Sequence, residues 1–299
     1  MTHAAPSNLR AYLFLIFTTL CWGGNAVMSR LAVGEVSPMV LVSLRWAGTL
    51  LLLLVIAHKH IIRDWPVLKH RLPFLAAMGA LGFAGFNSLF YIAAHSTTAV
   101  NLGIIQGAVP IFVLLGAFAA YRTPISALQI GGVILTLGGV VIVGSGGDVA
   151  RLTALAFNFG DVIMIGACAL YAGYTVGLRQ RPSVSSLSLL TFLAGAALAA
   201  SLAFTVAEAS LGQAQWPTTM GWIIIALITV FPSFLAQISF IRGVELLGPG
   251  RAGVFINLVP VFASLFAVII LKEPFKAFHA LSLALVLGGI WLSERGKPA

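Results

Sequence analysis

The chain has 299 residues, of which 60% are hydrophobic and only 8% charged, with a net charge of +9. An average soluble domain carries roughly 25% charged residues, so this composition excludes a fold whose whole surface meets water. Nucleic acid is excluded as a partner because no dense basic run is interleaved with stacking aromatics outside an apolar segment.

The apolar residues fall in runs of about 20, the length that crosses a hydrocarbon layer. In chain order the predicted spans are 11–29, 38–57, 72–94, 98–120, 125–144, 158–178, 186–206, 220–241, 250–271 and 275–291. The first follows Arg10 and runs on to Val27 with no small-residue cleavage pattern, so it reads as a retained helix and not as a signal peptide. Its Thr18, Trp22, Asn25 and Ser29 recur at steps of four, three and four and form one stripe. The second holds Arg45, the one basic residue well inside a span, for which snorkelling, pairing with Glu35 and contact with a carboxylate-bearing solute are the three alternatives. Between the second and third spans, Lys59 to Arg71 reads as a cytoplasmic loop.

The third span offers Phe83, Asn87 and Tyr91 on one stripe, and the fourth offers Asn101 and Gln106. The sixth carries Tyr171, Tyr174 and Thr175, the eighth Ser233, Gln237 and Phe240, and the ninth Asn257. Polar side chains in hydrocarbon either tie helices together or line a pathway. As a set, Trp22, Asn25, Arg45, Asn87, Tyr91, Gln106, Tyr171, Tyr174, Gln237 and Asn257 point to a substrate cavity of aromatic and neutral amide groups. Pro110 and Pro260, inside the fourth and ninth spans, are expected to bend their helices as hinges. The Gly103/Gly107 and Gly173/Gly177 spacings read as helix packing, and Cys21 and Cys168 as packing residues with no metal or redox spacing.

The sequence also matches itself. Phe90 to Gly139 and Phe240 to Gly289 are identical at 13 of 50 positions without a gap, including Gly103 with Gly253, Pro110 with Pro260 and Pro124 with Pro274. The shift of 150 also sets Leu20 on Leu170 and Gly23 on Gly173. The fold class expected is therefore an all-α polytopic membrane protein, ten transmembrane helices in two five-helix repeats, residues 1–148 and 149–299. Five is odd, so the second repeat enters from the opposite side and the two are inverted, the construction behind alternating access in secondary transporters. With both termini cytoplasmic, twelve basic residues fall inside and Arg30, Arg151, Lys272 and Lys276 outside, in keeping with the positive-inside bias.

Cys21-Trp22-Gly23-Gly24-Asn25, Ser37-Pro38 with Arg45, Lys272-Glu273-Pro274 and Gly288-Gly289 together resemble the motifs of the EamA family of the drug/metabolite transporter superfamily. The chain departs from that pattern at Arg122-Thr123-Pro124, where the acidic residue is missing, which restricts the role expected of Glu273 to capping a helix start. Within the family the chain looks most like the YddG-type exporters of aromatic amino acids. The resemblance implies an inner-membrane exporter of amino acids or similar amphiphilic metabolites.

The alternatives are a carrier of amines, drugs or nucleotide sugars, and a passive channel. No nucleophile and base pair, paired carboxylates or metal motif supports an enzyme, and no cofactor is implied. The partners expected are a small-molecule substrate and membrane lipid, with the oligomeric state open and a monomer sufficient. No carboxylate is evident deep in a span: Asp161 is placed near the outer end of the sixth, with Glu208 and Glu245 past the seventh and eighth. That pattern favours a facilitator or exchanger, with His95 and Asp161 as the candidates for a proton relay.

Overall fold

The computed structural model describes residues 6–148, 150, 157–247 and 255–296. Among them every regular element is helical, as hydrocarbon demands, because only a helix or a closed barrel pairs its own backbone groups without water. The helices are α1 (Pro6–Leu31), α2 (Pro38–Leu68), α3 (72–94), α4 (Ala99–Tyr121), α5 (Ala127–Gly144), α6 (Phe159–Gly177), α7 (Ser186–Ser210), α8 (Thr219–Leu247), α9 (Val259–Leu271) and α10 (Ala277–Arg295). Gly250, Arg151, Arg251, Gly253 and Lys297, used in the sequence argument, lie outside the described residues.

Among the described residues eight helical stretches are long and apolar enough to cross a membrane, and α9 is a shorter apolar helix. One of the eight, Pro38–Ala94, is 57 residues long. It folds back on itself, since Trp46 stacks on Phe83 with ring centroids 4.8 Å apart. This stretch therefore supplies two antiparallel legs, α2 and α3, which turn through the 3₁₀ segment Lys69–Arg71. The result is consistent with ten spans.

Several sequence boundaries move. The stretch from Lys59 is not a loop: α2 continues to Leu68, and only Lys69–Arg71 turns. Its polar Asp64 is buried, pairs with Arg63 at 3.0 Å and accepts the backbone N–H of Ser185 at 2.9 Å. A side chain anchored in that way keeps the helix running beyond the apolar run. Glu208 and Glu245 likewise lie inside α7 and α8, not past them.

Helix starts follow their capping chemistry. Thr98, Ser126, Asn158, Ser185 and Thr218 each accept a backbone N–H of the first turn that they precede. α4 and α9 both stop on a left-handed residue, Arg122 at φ 54° and Lys272 at φ 56°. These two residues are 150 apart, so the repeat carries a backbone conformation across even where the side chains differ.

Helices related by that shift pack against each other with opposite chain directions. In α5 and α10, Gly132 sits against Gly289 and Ser293, whereas Gly139 sits against Ser282 and Val286. In α4 and α9, Gly103 meets Ala263 and Gly107 meets Pro260. In α2 and α7, the hydroxyls of Ser43 and Thr205 are 2.8 Å apart, and Asp64 reaches Ser185. The remaining contacts also come in shift-related pairs, with α1 packed on α8 as α6 is on α3. Gly132, Gly139 and Gly289 leave no room for a Cβ, so the backbones approach as small residues allow in membranes.

Two irregularities fall where the shift predicts. α3 passes through a π-helical segment at Ala80–Gly85 and α8 through one at Thr229–Leu235. In the second, Pro232 cannot donate to the carbonyl one turn back, and the Ser233 hydroxyl instead donates to Ile228 O at 2.7 Å. In the first, the shift-equivalent residue is Gly82, whose missing side chain lets Tyr174 of α6 close over it. Such bulges cluster at functional sites.

Candidate central substrate cavity

The cavity sits where α1, α2, α3, α4, α6 and α8 meet the residues before and at the start of α9, and encloses roughly 780 Å³ with its open mouth included. Of the ten residues expected to bind substrate, Trp22, Asn25, Arg45, Asn87, Gln106, Tyr171, Gln237 and Asn257 line it. Tyr91 and Tyr174 do not. Tyr91 stands behind Arg45 and Asn25 as a hydrogen-bond partner, and Tyr174 backs the ring of Phe83 at 5.1 Å and that of Tyr171 at 5.5 Å.

Among the described residues lining the cavity Arg45 is the one cation, and it is only 6% exposed. Its Nη1 donates to Asn87 Oδ1 at 2.6 Å and to the Tyr91 hydroxyl at 2.5 Å. Tyr91 in turn donates to Asn25 Oδ1 at 3.1 Å, and the Asn87 amide donates to Phe83 O at 2.7 Å. The guanidinium also lies near the Trp46 and Tyr91 rings, 5.3 Å and 5.8 Å from their centroids. Neither snorkelling nor Glu35 accounts for it, because Arg45 is enclosed and Glu35 accepts a hydrogen bond from Thr218. Among the described residues no carboxylate lines the cavity.

Among the described residues lining the cavity, three buried polar atoms have no hydrogen-bond partner: Arg45 Nε, Trp46 Nε1 and Gln106 Oε1. An unpartnered buried donor or acceptor costs roughly 1–3 kcal/mol, so the three mark where a ligand's groups would be rewarded. The first is a cationic donor, the second a neutral donor and the third a neutral acceptor. A carboxylate suits the donors and an N–H donor suits Gln106.

The walls are aromatic. Trp46, Phe83 and Tyr174 follow one another in contact, and Phe86 packs on Tyr171 with centroids 5.1 Å apart. Across the cavity, Trp22 packs on Phe240 at 5.3 Å and donates its indole N–H to Pro232 O at 3.2 Å. The π segments thus enter the site directly, one through Gly82 and Phe83, the other through Pro232.

Pro110 and Pro260 also line the cavity, but in a different setting from the one expected. Neither lies inside an unbroken helix. α4 is interrupted between Gln106 and Val109, and Pro110 sits in the first turn of the new segment; Pro260 holds the same place in α9. A proline there loses no hydrogen bond, because the first N–H groups of a helix have no intrahelical partner. Gln106 and Asn257 therefore project beside helix breaks, the kind of place where transporters hold polar solutes.

Sequence reasoning missed Trp46, Phe86 and Pro232. Trp46 follows Arg45, and Pro232 is a proline inside an apolar span, so both carried a readable signal. Phe86 is one of 20 phenylalanines and carried none. Of the other predicted polar residues, Thr18 and Asn101 tie helices, donating to Ala236 O and to Asp161, whereas Thr175 bonds back to Tyr171 O within α6. Cys168 is buried with its thiol toward Ile105 O, in line with a packing role. Among the described residues no group of His, Cys, Asp and Glu could hold a metal.

One end of the bundle is laced by polar contacts. The expected cap is there: the Glu273 carboxylate accepts the N–H groups of Ala99 at 2.9 Å and Val100 at 3.0 Å, at the start of α4. Arg30 donates to Ala94 O, Asn158 to Ser96 O, and Ser37 to Glu208. At the same end Asp161, expected near a helix mouth, is 1% exposed.

The sequence profile of the EamA-like transporter family matches residues 9–145 and 158–295. An uncharacterized transporter of Bacillus subtilis, YetK, is 27% identical over 293 residues, covering 96% of this chain and 87% of its own. A second from that organism, YyaM, is 24% identical over 288 residues, covering 95% and 93%. One from Archaeoglobus fulgidus is 25% identical, covering 96% and 98%. A solved crystal structure, 18% identical, shares the fold with a TM-score of 0.64 over 94% of this chain and 95% of its own.

Proposed function

This chain belongs to the EamA-like transporter family, and we propose that it exports small amphiphilic metabolites, amino acids including aromatic ones, by alternating access. The observation that carries the substrate class is Arg45, a buried guanidinium with neutral partners in a cavity with no carboxylate among the described residues that line it. A buried cation without its counter-ion is costly. A solute carboxylate supplies the missing charge, the acceptor at Gln106 Oε1 receives its ammonium, and the rings of Trp22, Phe83, Phe86 and Tyr171 take a flat side chain. In these respects the site suits the solutes of the YddG-type exporters.

The antiparallel packing of α2 with α7, α4 with α9 and α5 with α10 supports two inverted repeats, 1–148 and 149–299. Exchange of conformation between such halves opens the cavity to each side in turn. The breaks before Pro110 and Pro260, with the two π segments, supply bends at which segments can rotate without unpairing a regular helix. In this reading the protein lies in the inner membrane with both termini in the cytoplasm, and the laced end faces outward.

The test is counterflow of radiolabelled L-phenylalanine in proteoliposomes, with other amino acids, amines and nucleosides as competitors. Saturable counterflow, competed by carboxylate-bearing solutes and lost in Arg45→Leu, is expected. Competition by amines alone would transfer the site to a different solute class, and flux without saturation would make the protein a channel.

A further inference from the structure

We propose that Asp161 is a proton-binding site that couples protonation to closure of the laced end: it takes up a proton as that end closes and returns it to water as it opens. The site lies apart from the substrate cavity and joins the two repeats. Asp161 belongs to α6 of the second repeat, and both of its cross-helix partners come from the first. The Thr97 hydroxyl donates to Oδ1, and the Asn101 amide donates to both carboxylate oxygens at 3.3 Å and 3.1 Å.

None of these partners carries charge. Among the described residues Asp161 has no ion pair, although it is almost wholly enclosed. Among the described residues the charged and titratable groups on the elements around it include His95 on the link from α3 to α4, Arg30 of α1, Glu208 of α7, and Lys272 and Glu273 before α10. Arg30 is engaged with Ala94 O, and Glu273 with the start of α4. His95 is pushed below its ordinary imidazole range by desolvation and then by Arg30, which makes it a poor counter-charge.

Its place near the start of α6 gives an ionised Asp161 some support from the helix dipole. That support accounts for an acid at this position but not for a second observation. Asn101 is buried, and its own Oδ1 has no hydrogen-bond partner. Rotation of that amide by half a turn brings Oδ1 to Asp161, where it can accept only if the carboxyl carries a proton. The cluster therefore satisfies two protonation states. An ionised Asp161 accepts from the Asn101 amide, and a protonated Asp161 donates O–H to Asn101 Oδ1 while still accepting from Thr97. Burial without a counter-ion favours the second, and hydration on opening favours the first. The proton comes from the aqueous phase and returns to it, and no other bond changes.

The internal repeat does not reproduce this site. At the shift-equivalent positions Asp161 becomes Ala11, Thr97 becomes Leu247 and Asn101 becomes Arg251. A proton thus biases one half of the cycle and not the other.

The proposal requires only that this end open to water, and it stands apart from the substrate class. Infrared titration of the purified protein should show one protonated-carboxyl C=O band that disappears as pH rises, and that band should be absent in Asp161→Asn. Persistence of the same band in Asp161→Asn, or no such band in the wild type at any pH, overturns the proposal. Should Asp161→Asn not fold, Thr97→Val decides: it removes a donor to the ionised form and should move the midpoint toward alkaline pH by about one unit, a tenfold change. An unmoved midpoint counts against the proposal.

In proteoliposomes, L-phenylalanine exchange should slow about tenfold on acidification in the wild type. In Asp161→Asn it should be slow and independent of pH, while His95→Gln keeps the wild-type dependence. Loss of the pH dependence in His95→Gln and not in Asp161→Asn would assign the proton to the histidine. If L-phenylalanine is not carried at all, the proposed substrate fails, and the infrared result alone judges Asp161.

Discussion

The two repeats share their bends more closely than their polar residues. At the π segments the same departure from α-helix is reached by opposite means, Gly82 in one repeat and Pro232 in the other. Gly82 permits a close approach by Tyr174, whereas Pro232 removes a donor and leaves a carbonyl to Ser233. The same holds at the link after the fourth helix of each repeat. Arg122 and Lys272 adopt one left-handed shape, yet only the next residue of the second repeat, Glu273, is an acid that reaches back to cap α4. Duplicated backbone thus carries the shape of the cavity, and unduplicated side chains decide what it binds and which end is latched.

Arg45 is the largest such difference, since its shift-equivalent is Gly195. Arg45→Leu should weaken L-phenylalanine counterflow by about thirtyfold or more, from the ~2–5 kcal/mol lost when one member of a buried charge pair is removed. The reciprocal Gly195→Arg should restore nothing, and a double variant as active as wild type would show that the repeats are interchangeable at the site.

Next in size is Gly82→Leu. A side chain there meets Tyr174, at a cost of about 1–3 kcal/mol. We expect a lower melting temperature together with weakened transport. Unchanged values for both would mean that α6 can withdraw from the bulge.

Glu273→Gln and Thr123→Ala make the matched pair at the links. The first loses a charged cap and should cost about 1 kcal/mol in thermal stability, with Thr123→Ala near zero. Equal effects would remove the asymmetry between the ends. Ser233→Ala, which orphans the Ile228 carbonyl, should cost about 1 kcal/mol, and the same change at Ser88 of α3, which has no hydrogen-bond partner, should cost less. Thermal unfolding in detergent checks both.

Much of the site was legible because each polar residue in an apolar span is an exception that hydrocarbon does not tolerate without cause. Asn25, Asn87, Gln106, Gln237 and Asn257 could be found in this way, and the shift of 150 aligned their helices. Tyr91 and Tyr174 were read one layer too far forward. Helical periodicity tells which face a side chain is on, but not whether Arg45 or Phe83 stands in front of it. Phe86 was invisible because an aromatic ring among apolar neighbours looks the same whether it meets lipid, protein or a cavity.

By itself the sequence determined that the chain is helical, that it lives in lipid and that it is built twice, because hydropathy, span length and the self-match are local or internal properties of the chain. Only the tertiary structure decided where each helix breaks, which prolines interrupt and which begin a helix, and which polar side chains are shared between repeats. Pro110 begins a helical segment because α4 is interrupted after Gln106, and Asp161 is buried because Thr97 and Asn101 of the other repeat cover it. Those outcomes depend on neighbours tens of residues away, and a hydrogen bond between Asp161 and Asn101 has no signature in either residue's own surroundings.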